Sequence, residues 1–533
     1  MLRFFQHLSA WAAAASTSRS ALGFSWSPAS MTKPKSASIF FLLALALVPL
    51  MPSTGSIWVD EAQTWRYARH TTLADVWNEF RGEKFSEAQM PLGMLGAWSW
   101  AQIIGTSEFA LRAPNMLYAM GAILCFYLIG RREDLPVLPL FLAVQPYLWF
   151  YVNEARPYAL QILGGSLLLL ALHQVYHGNI ASIRWVMLWA VGAIICSASS
   201  MLGAIPTLAF SAAILLELLR LHYFPKRVQI AIIGGTALSL IALGLYYVKT
   251  LLAGSGGAKI WNVGLQNILF SAIEFLGFAG LLPPRHELRE LARTGPNQPA
   301  ELFVLWPFAL PTTLVAVVLT VLVFFWFRNL RKTPQWIFAC IAVFMGSAIL
   351  LFLAALVVGF PFWGRHLAPV FPAFIAGTGW VLSLCWRSPS PVIKISAASL
   401  LSLLLVSSLI LRFSPLHAKD DYRSAAAVAL ETVNEGGTVW WAADRSAAQF
   451  YGLQTIVPDG INSVEASEDG AFMANSRGAA YFATLPEPSL VILSKVDVYD
   501  RGGSLRCWLE ENQYKLVARK PAFSFYEKLA DRL

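Results

Sequence analysis

The sequence predicts an all-α polytopic membrane domain of about eleven transmembrane helices, followed by a small C-terminal α/β soluble domain. Three observations carry this expectation. Hydrophobic residues make up 56% of the 533-residue chain and charged ones 13%, against roughly 25% charged in soluble globular domains. From Ser38 onward, apolar runs near the bilayer length of about 20 residues recur. After Ser414 the composition switches to charged residues mixed with short apolar segments.

Residues 1–30 carry Arg3, Arg19 and many Ala and Ser but no acid, a composition that superficially suits a transit peptide. The run Met31-Thr-Lys-Pro-Lys, placed directly before an uninterrupted apolar span, has the form of a natural start for a signal-anchor helix. We therefore read residues 1–37 as an N-terminal extension from a mis-assigned start. Predicted spans fall at about 38–50, 112–130, 135–151, 157–176, 183–200, 202–220, 229–249, 302–327, 335–358, 365–386 and 391–412.

Basic residues prefer cytoplasmic loops. Arg131-Arg132, Arg220 with Lys226-Arg227, Arg328 with Arg331-Lys332, and Arg387 with Lys394 fall on one side if the start is cytoplasmic. The run from Pro91 to Gly105 then reads as re-entrant or interfacial, because a crossing there would put Arg131-Arg132 outside. Under this topology the loop 53–111, Glu154-Arg156, the stretch 250–300, Arg365-His366 and everything after Ser414 share the external face.

Four cysteines, Cys125, Cys196, Cys340 and Cys385, lie in predicted spans and Cys507 in the tail, which argues against an external disulfide framework or a thiolate metal motif. The net charge of +9 belongs to cytoplasmic loops and phosphate-handling sites rather than to a nucleic-acid surface, since no basic run forms one. In the tail, residues 415–533, an Ala-rich helix runs to Val433. Strands are expected at Thr438–Ala442, Ala480–Thr484, Ser489–Leu493 and Tyr514–Ala518.

Adjacent acids Asp60-Glu61 stand just beyond the first span, in a segment with apolar residues at Ala62, Trp65, Ala68, Leu73, Val76, Trp77 and Phe80 that suit short amphipathic helices on the membrane. The competing structural reading makes Asp60, with Gln63, a helix cap. Further on, Pro157 keeps Arg156 out of helical geometry and suits a helix start. Glu154 and Arg156 are thus expected in a loop above the next span, where a guanidinium at a helix N-terminus makes a phosphate site. A simple interfacial ion pair is the alternative. Arg365 and His366 follow Phe360, Phe362 and Trp363 at another span end, a place where arginines also snorkel without function. Arg112, taken singly, is equally open.

Together these residues resemble a family. The segments Asp60-Glu61-Ala, Met90-Pro91-Leu92, Ser107-Glu-Phe-Ala-Leu-Arg112-Ala-Pro114, Glu154-Ala-Arg156-Pro-Tyr158-Ala-Leu160 and Arg365-His366-Leu-Ala-Pro369 are similar in kind and order to those of GT-C superfamily membrane glycosyltransferases. The likeness is to the bacterial group related to protein mannosyltransferases and lipid A aminoarabinose transferases, and it covers residues 38–412. The segment Lys419-Asp-Asp-Tyr-Arg423 also looks like the start of the external domain of such proteins.

This resemblance implies transfer of a sugar from a polyprenyl-phosphate donor to an envelope glycan, glycolipid or protein acceptor, with inversion, at the periplasmic face of a bacterial inner membrane. It implies Asp60 as general base, Glu61 as its assistant, and Glu154 as a further acid of the pocket. Arg156, Arg365, His366 and Arg112 would bind the donor phosphate, and Tyr158 and Trp363 would line the substrate. Asp60 and Glu154 are the candidate ligands of a divalent metal. Metal dependence stays open, because the second loop lacks the separate aspartate of the related oligosaccharyltransferase pattern. No nucleotide cofactor and no nucleic acid are expected, as the chain has no Gly-rich phosphate loop.

A polytopic transporter or lipid flippase is the alternative class. Such proteins place ionisable residues near the midplane, often in repeated halves. Here most spans lack central charges and no repeat is evident. Glu217 lies near a span end and Glu274 in the amphipathic stretch 261–282. A sensor with an external domain would not need acids and arginines gathered on one face.

Overall fold

The computed structural model describes residues 34–82, 86–253, 265–284, 309–360, 362–457, 470–475 and 479–528. Most of the N-terminal extension, part of the stretch 250–300 and the start of the span expected at 302–327 lie outside them. Among the described residues, seven helices are long and apolar enough to cross a membrane: Glu108–Arg132, Tyr158–Tyr176, Met201–Arg220, Arg227–Leu252, Gln335–Val358, Gly364–Arg387 and Pro391–Phe413. Two shorter apolar helices, Ala37–Leu50 and Ile183–Ser199, accompany them, as does the helix Ala309–Asn329. These are the helices of an integral membrane protein.

The expected spans are not all continuous helices. Segment 135–151 is broken into Leu138–Ala143 and Pro146–Val152. Pro146 supplies no N–H and pushes the preceding Gln145 to extended geometry, at φ −73° and ψ 121°. The helix Pro91–Ile104 has 14 residues, about 21 Å at 1.5 Å per residue. That is too short to cross a hydrocarbon layer of about 30 Å upright. It packs instead on the helix Val59–Ala68.

Helix Tyr158–Tyr176 is the axis of the bundle. It is 83% buried, against 11% for Arg227–Leu252, whose Leu238 and Leu245 point outward in the manner of lipid-facing residues. Around the axis pack Pro114–Arg132, Ile183–Ser199, Ala204–Arg220, Phe371–Arg387 and the 3-10 turn Gly364–Val370. Small residues permit this closeness. A Cβ on Gly165 would lie 2.0 Å from the Pro369 carbonyl oxygen, so the axial helix touches backbone to backbone the turn that carries Arg365.

The tail forms a six-stranded sheet with strands β1 (Thr438–Ala442), β2 (Thr455–Ile456), β3 (Gly470–Met473), β4 (Leu490–Ser494), β5 (Tyr514–Lys520) and β6 (Phe523–Lys528). Their order is β2-β3-β1-β4-β6-β5. The first four are parallel; β6 runs antiparallel to β4, and β5 antiparallel to β6. Strands β1 and β4 are wholly buried, because apolar cores lie on both faces. Trp441 joins Tyr422, Ala425 and Ala447 on one face, and Trp440 joins Phe482, Leu505 and Leu509 on the other. The strand expected at Ala480–Thr484 is instead the helix Ala479–Phe482. Strands β2, β3 and β6 were not expected; β2 and β3 are short, with two and four residues, and lack the alternation that marks a half-buried strand.

The sheet domain sits on the first loop. Ile57 and Ala62 belong to its core, Ile57 N–H donates to Tyr451 Oη at 2.8 Å, and Arg423 donates to Glu108 at 2.6 Å.

Replacing Gly165 by Ala drives a methyl into the Pro369 carbonyl and should destabilise the protein by about 1–3 kcal/mol. Thermal unfolding in detergent should show a lowered Tm, with Gly234→Ala, whose Cβ meets nothing within 4 Å, as the neutral control.

Candidate active site

The helix Val59–Ala68 begins one residue after Trp58, so Asp60 and Glu61 fall in its first turn, where carboxylates oppose the positive end of the dipole. This corrects the capping expectation for Asp60. The reaching-back role belongs to Glu61, whose Oε2 accepts from the Trp58 N–H at 3.4 Å.

Glu61 and Arg112 form a fully buried pair, each with a side chain 0% exposed. Arg112 donates to Glu61 Oε1 through Nε at 2.7 Å and to Oε2 through Nη2 at 2.6 Å. Its remaining N–H groups go to the carbonyls of Ser53, Gly55 and Ser56 and to the Ser53 hydroxyl. This guanidinium is saturated by protein and presents no spare donor. Glu61 is equally engaged: Oε1 also accepts from Ala155 N–H at 2.8 Å, and Oε2 lies 3.1 Å from Lys419 Nζ. Burial alone would raise the Glu61 pKa, but Arg112 and then Lys419 outweigh it and hold the carboxyl at about 2.

Through Ala155, Glu61 ties the first loop to the segment Asn153–Pro157, which ends on the N-terminus of the axial helix. Pro157 is the N-cap of that helix, so Arg156 lies just ahead of it as the spacing predicts. Arg156 Nη1 donates to the Asp60 carbonyl at 3.1 Å and to Glu87 Oε1 at 2.9 Å. Asn115 donates to the Glu154 carbonyl at 2.6 Å, fixing the backbone of the same loop.

Asp60 itself faces outward. Its Oδ2 accepts from Arg365 Nη1 at 2.8 Å, and the two side chains are 26% and 28% exposed. Burial pushes its pKa up, while Arg365, then Arg156 and Lys495, pull it further down, leaving an ionised carboxylate below the usual range. Glu154 has the opposite fate. It is buried, its Oε2 has no hydrogen-bond partner, and burial lifts it to about 7. Lys419 opposes that rise and the charges of Glu61 and Asp60 add to it. Two carboxyl groups of one cluster are thus driven apart in acidity, a pattern that separates acid and base roles.

Arg365 is carried by the 3-10 turn Gly364–Val370, anchored by Tyr147 Oη donating to the Gly364 carbonyl at 2.8 Å. His366 Nδ1 accepts from Trp363 N–H at 3.3 Å, so His366 helps to form the turn and Trp363 precedes it. Tyr158 stands in the wall beside Tyr151, ring centroids 5.0 Å apart, close enough to Arg365 and Arg156 for their charges to act on it. Asp60, Glu61, Glu154, Arg156, Arg365 and Arg112 therefore gather at one end of the bundle, although they are far apart in sequence.

Two lysines of the tail enter the same cluster. Lys419 donates to the Asn153 carbonyl at 2.6 Å; burial lowers its pKa to about 8, with Glu61 resisting. Lys495 lies 2.5 Å from Asp420 and 5.3 Å from the Trp58 ring centre. Its backbone sits at φ 28°, a strained conformation for a side-chain-bearing residue. In the sequence Lys419 belongs to a tail motif, while Lys495 and Glu87 belong to none. Their only signal was their charge, and nothing in spacing ties position 495 to position 60.

In fold, the chain is similar to ArnT from Cupriavidus metallidurans. The apo-state crystal structure matches with a TM-score of 0.53 and 11% identity, covering 92% of this chain and 97% of that one. The crystal structure bound to undecaprenyl phosphate matches with a TM-score of 0.50 and 12% identity, covering 94% and 99%. No protein-family profile and no curated protein matches the chain. The chain thus shares the overall fold of these two structures.

The two buried carboxyls set opposite pH dependences. Glu61, held at about 2 in the fold against an ordinary 4.5, contributes stability above pH 4.5 that is lost as the pH falls toward 2. Glu154, raised to about 7, costs stability as the pH rises from about 4.5 through 7. Glu154→Gln should flatten the Tm profile between pH 5 and 8, whereas Arg112→Ala should destabilise by about 3–5 kcal/mol by removing the guanidinium that engages both oxygens of the buried Glu61 carboxylate. Thermal unfolding across pH in detergent reads both.

Proposed function

We propose that this protein is a membrane glycosyltransferase that moves a sugar from a polyprenyl-phosphate donor to an envelope acceptor, a glycolipid, polysaccharide or protein. The observation that supports it best is the partly open Asp60–Arg365 pair beside the N-terminus of the axial helix, backed by Arg156, Lys419 and Lys495. A lipid-linked donor keeps its phosphate at the membrane interface, and cations at the ends of spans suit that phosphate. The positive-inside pattern supports a reading in which this end of the bundle, with the sheet domain above it, lies on the periplasmic face of a bacterial inner membrane.

In this reading Arg365 binds the donor phosphate, with Arg156 adding positive charge from its buried pair with Glu87 behind it, His366 shaping the turn, and Tyr158 and Trp363 bordering the sugar. The acceptor hydroxyl attacks the anomeric carbon. The bond from that carbon to the phosphate oxygen breaks, the phosphate leaves with the electron pair, and Asp60 takes the hydroxyl proton. Phosphate on Arg365 competes with Asp60 for the guanidinium, which weakens the hold on the carboxylate and raises its basicity when donor is bound. The cations then stabilise charge growing on the departing phosphate. Attack opposite the leaving group inverts the anomeric centre. Glu61 and Arg112 position the loop, and Glu154, near neutrality in pKa, is the second proton-accepting group.

A divalent ion on Asp60 and Glu154 fits these residues poorly. Arg365, Arg156, Lys419 and Lys495 act on the two carboxyls, and such a set favours an anion over a further cation. The transporter reading has less support, since the charged cluster lies at a bundle end rather than at the midplane.

Asp60→Asn should lower sugar transfer by about 10²–10⁴-fold while donor binding persists, and Arg365→Ala should weaken donor binding itself. Mass spectrometry of envelope glycans and of lipid-linked sugars in a deletion strain, complemented by each variant, checks this. Unchanged glycans together with unchanged carrier pools in the deletion strain would overturn the assignment.

A further inference from the structure

At the opposite end of the axial helix a second cluster stands apart from the chemistry above. His173 and His177 are four residues apart at the helix C-terminus, a spacing that stacks both rings on one face. Glu133 follows the end of the neighbouring helix Pro114–Arg132 and is its C-cap. Its Oε1 lies 2.9 Å from His173 Nε2 and 2.6 Å from His177 Nε2. One ligand atom from each residue falls within 4.8 Å of the others.

We infer that Glu133, His173 and His177 form a zinc-binding site that fastens the far end of the axial helix to its neighbour. A His₂-carboxylate set is a recurrent zinc donor set, with bonds of about 2.0–2.2 Å and a fourth position for water. Both imidazoles already point Nε2 at the same carboxylate oxygen, so a cation entering there needs only a small separation of groups that now share protons. Two helix C-termini, His177 being the C-cap of the axial helix, converge their negative dipole ends on this place, which favours a cation and disfavours a lone carboxylate.

The burial pattern agrees. The His173 side chain is wholly enclosed, Glu133 is 14% and His177 31% exposed, so the site is walled on one side and reachable on the other. Zinc on His173 Nε2 displaces the proton now shared with Glu133 Oε1 and leaves the ring proton on Nδ1, which is buried without a hydrogen-bond partner. The nearest competing cation, Arg132, is directed to Gln174 Oε1 at 3.2 Å and to the His177 carbonyl at 3.5 Å, not to the carboxylate. This site does not depend on the proposed transfer reaction.

The test uses tag-free, full-length protein in detergent, stripped with chelator and re-equilibrated with zinc sulfate at micromolar concentration. Elemental analysis should find about one zinc per chain, with a Tm raised by a few degrees on zinc addition. His177→Gln, at the most exposed ligand, should abolish both effects, and Asp60→Asn with Glu154→Gln should preserve them. If His177→Gln fails to fold, the wild type loaded with cobalt(II) should show the visible bands of a four-coordinate ion. Zinc content unaffected by His177→Gln, absent from the wild type, or lost only with Asp60 and Glu154 would overturn the inference, as would a cobalt spectrum without those bands.

Discussion

The buried ion pair between Glu61 and Arg112 is the constraint on which the arrangement of the site depends. Taking both charges out of water is expensive, and the pair persists because every remaining donor and acceptor is satisfied. Arg112 gathers the carbonyls of Ser53, Gly55 and Ser56, while Glu61 takes the Ala155 N–H and the Lys419 ammonium. One pair thereby joins the first loop, the loop ahead of the axial helix and the start of the sheet domain. Asp60, next to Glu61, is left pointing toward Arg365.

Around this anchor the charges divide the work. Groups that are fully enclosed set geometry, and the partly exposed pair of Asp60 and Arg365 faces whatever enters. Glu154 stands between the two classes, enclosed yet with one oxygen unpartnered. The axial helix contributes its positive end to the same region, and the close approach at Gly165 fixes the Arg365 turn against it. Rigid backbone contact below and saturated hydrogen bonding beside the site hold the open pair in place without further support.

Much of this could be read from the chain itself. Hydropathy announces membrane helices, and Pro157 announces both the start of the axial helix and the non-helical Arg156. The motifs around Asp60, Arg112, Glu154 and Arg365 point to one face. Partner choice was not legible. Adjacent acids Asp60 and Glu61 look alike in sequence, yet a helical turn directs one into a partly open pair with Arg365 and the other into a saturated pair with Arg112. Arg112 reads as a phosphate ligand until its five donors are followed to protein acceptors. Lys419 and Lys495 come from a domain whose docking depends on Ile57, Ala62 and Tyr451, contacts almost four hundred positions apart in the chain. The short strand β3 was hidden for a related reason: its burial is decided by neighbours, not by its own periodicity.

Joining positions 60 and 365 with a thiol cross-linker tests the convergence most directly. In a background from which the five native cysteines are removed, Asp60→Cys and Arg365→Cys are introduced together and treated with a short bifunctional reagent. The account predicts an intramolecular cross-link in the folded protein in its native membrane, with both single variants labelled from the same side. Labelling from opposite sides, or free reaction at each position with no cross-link between them, would contradict it.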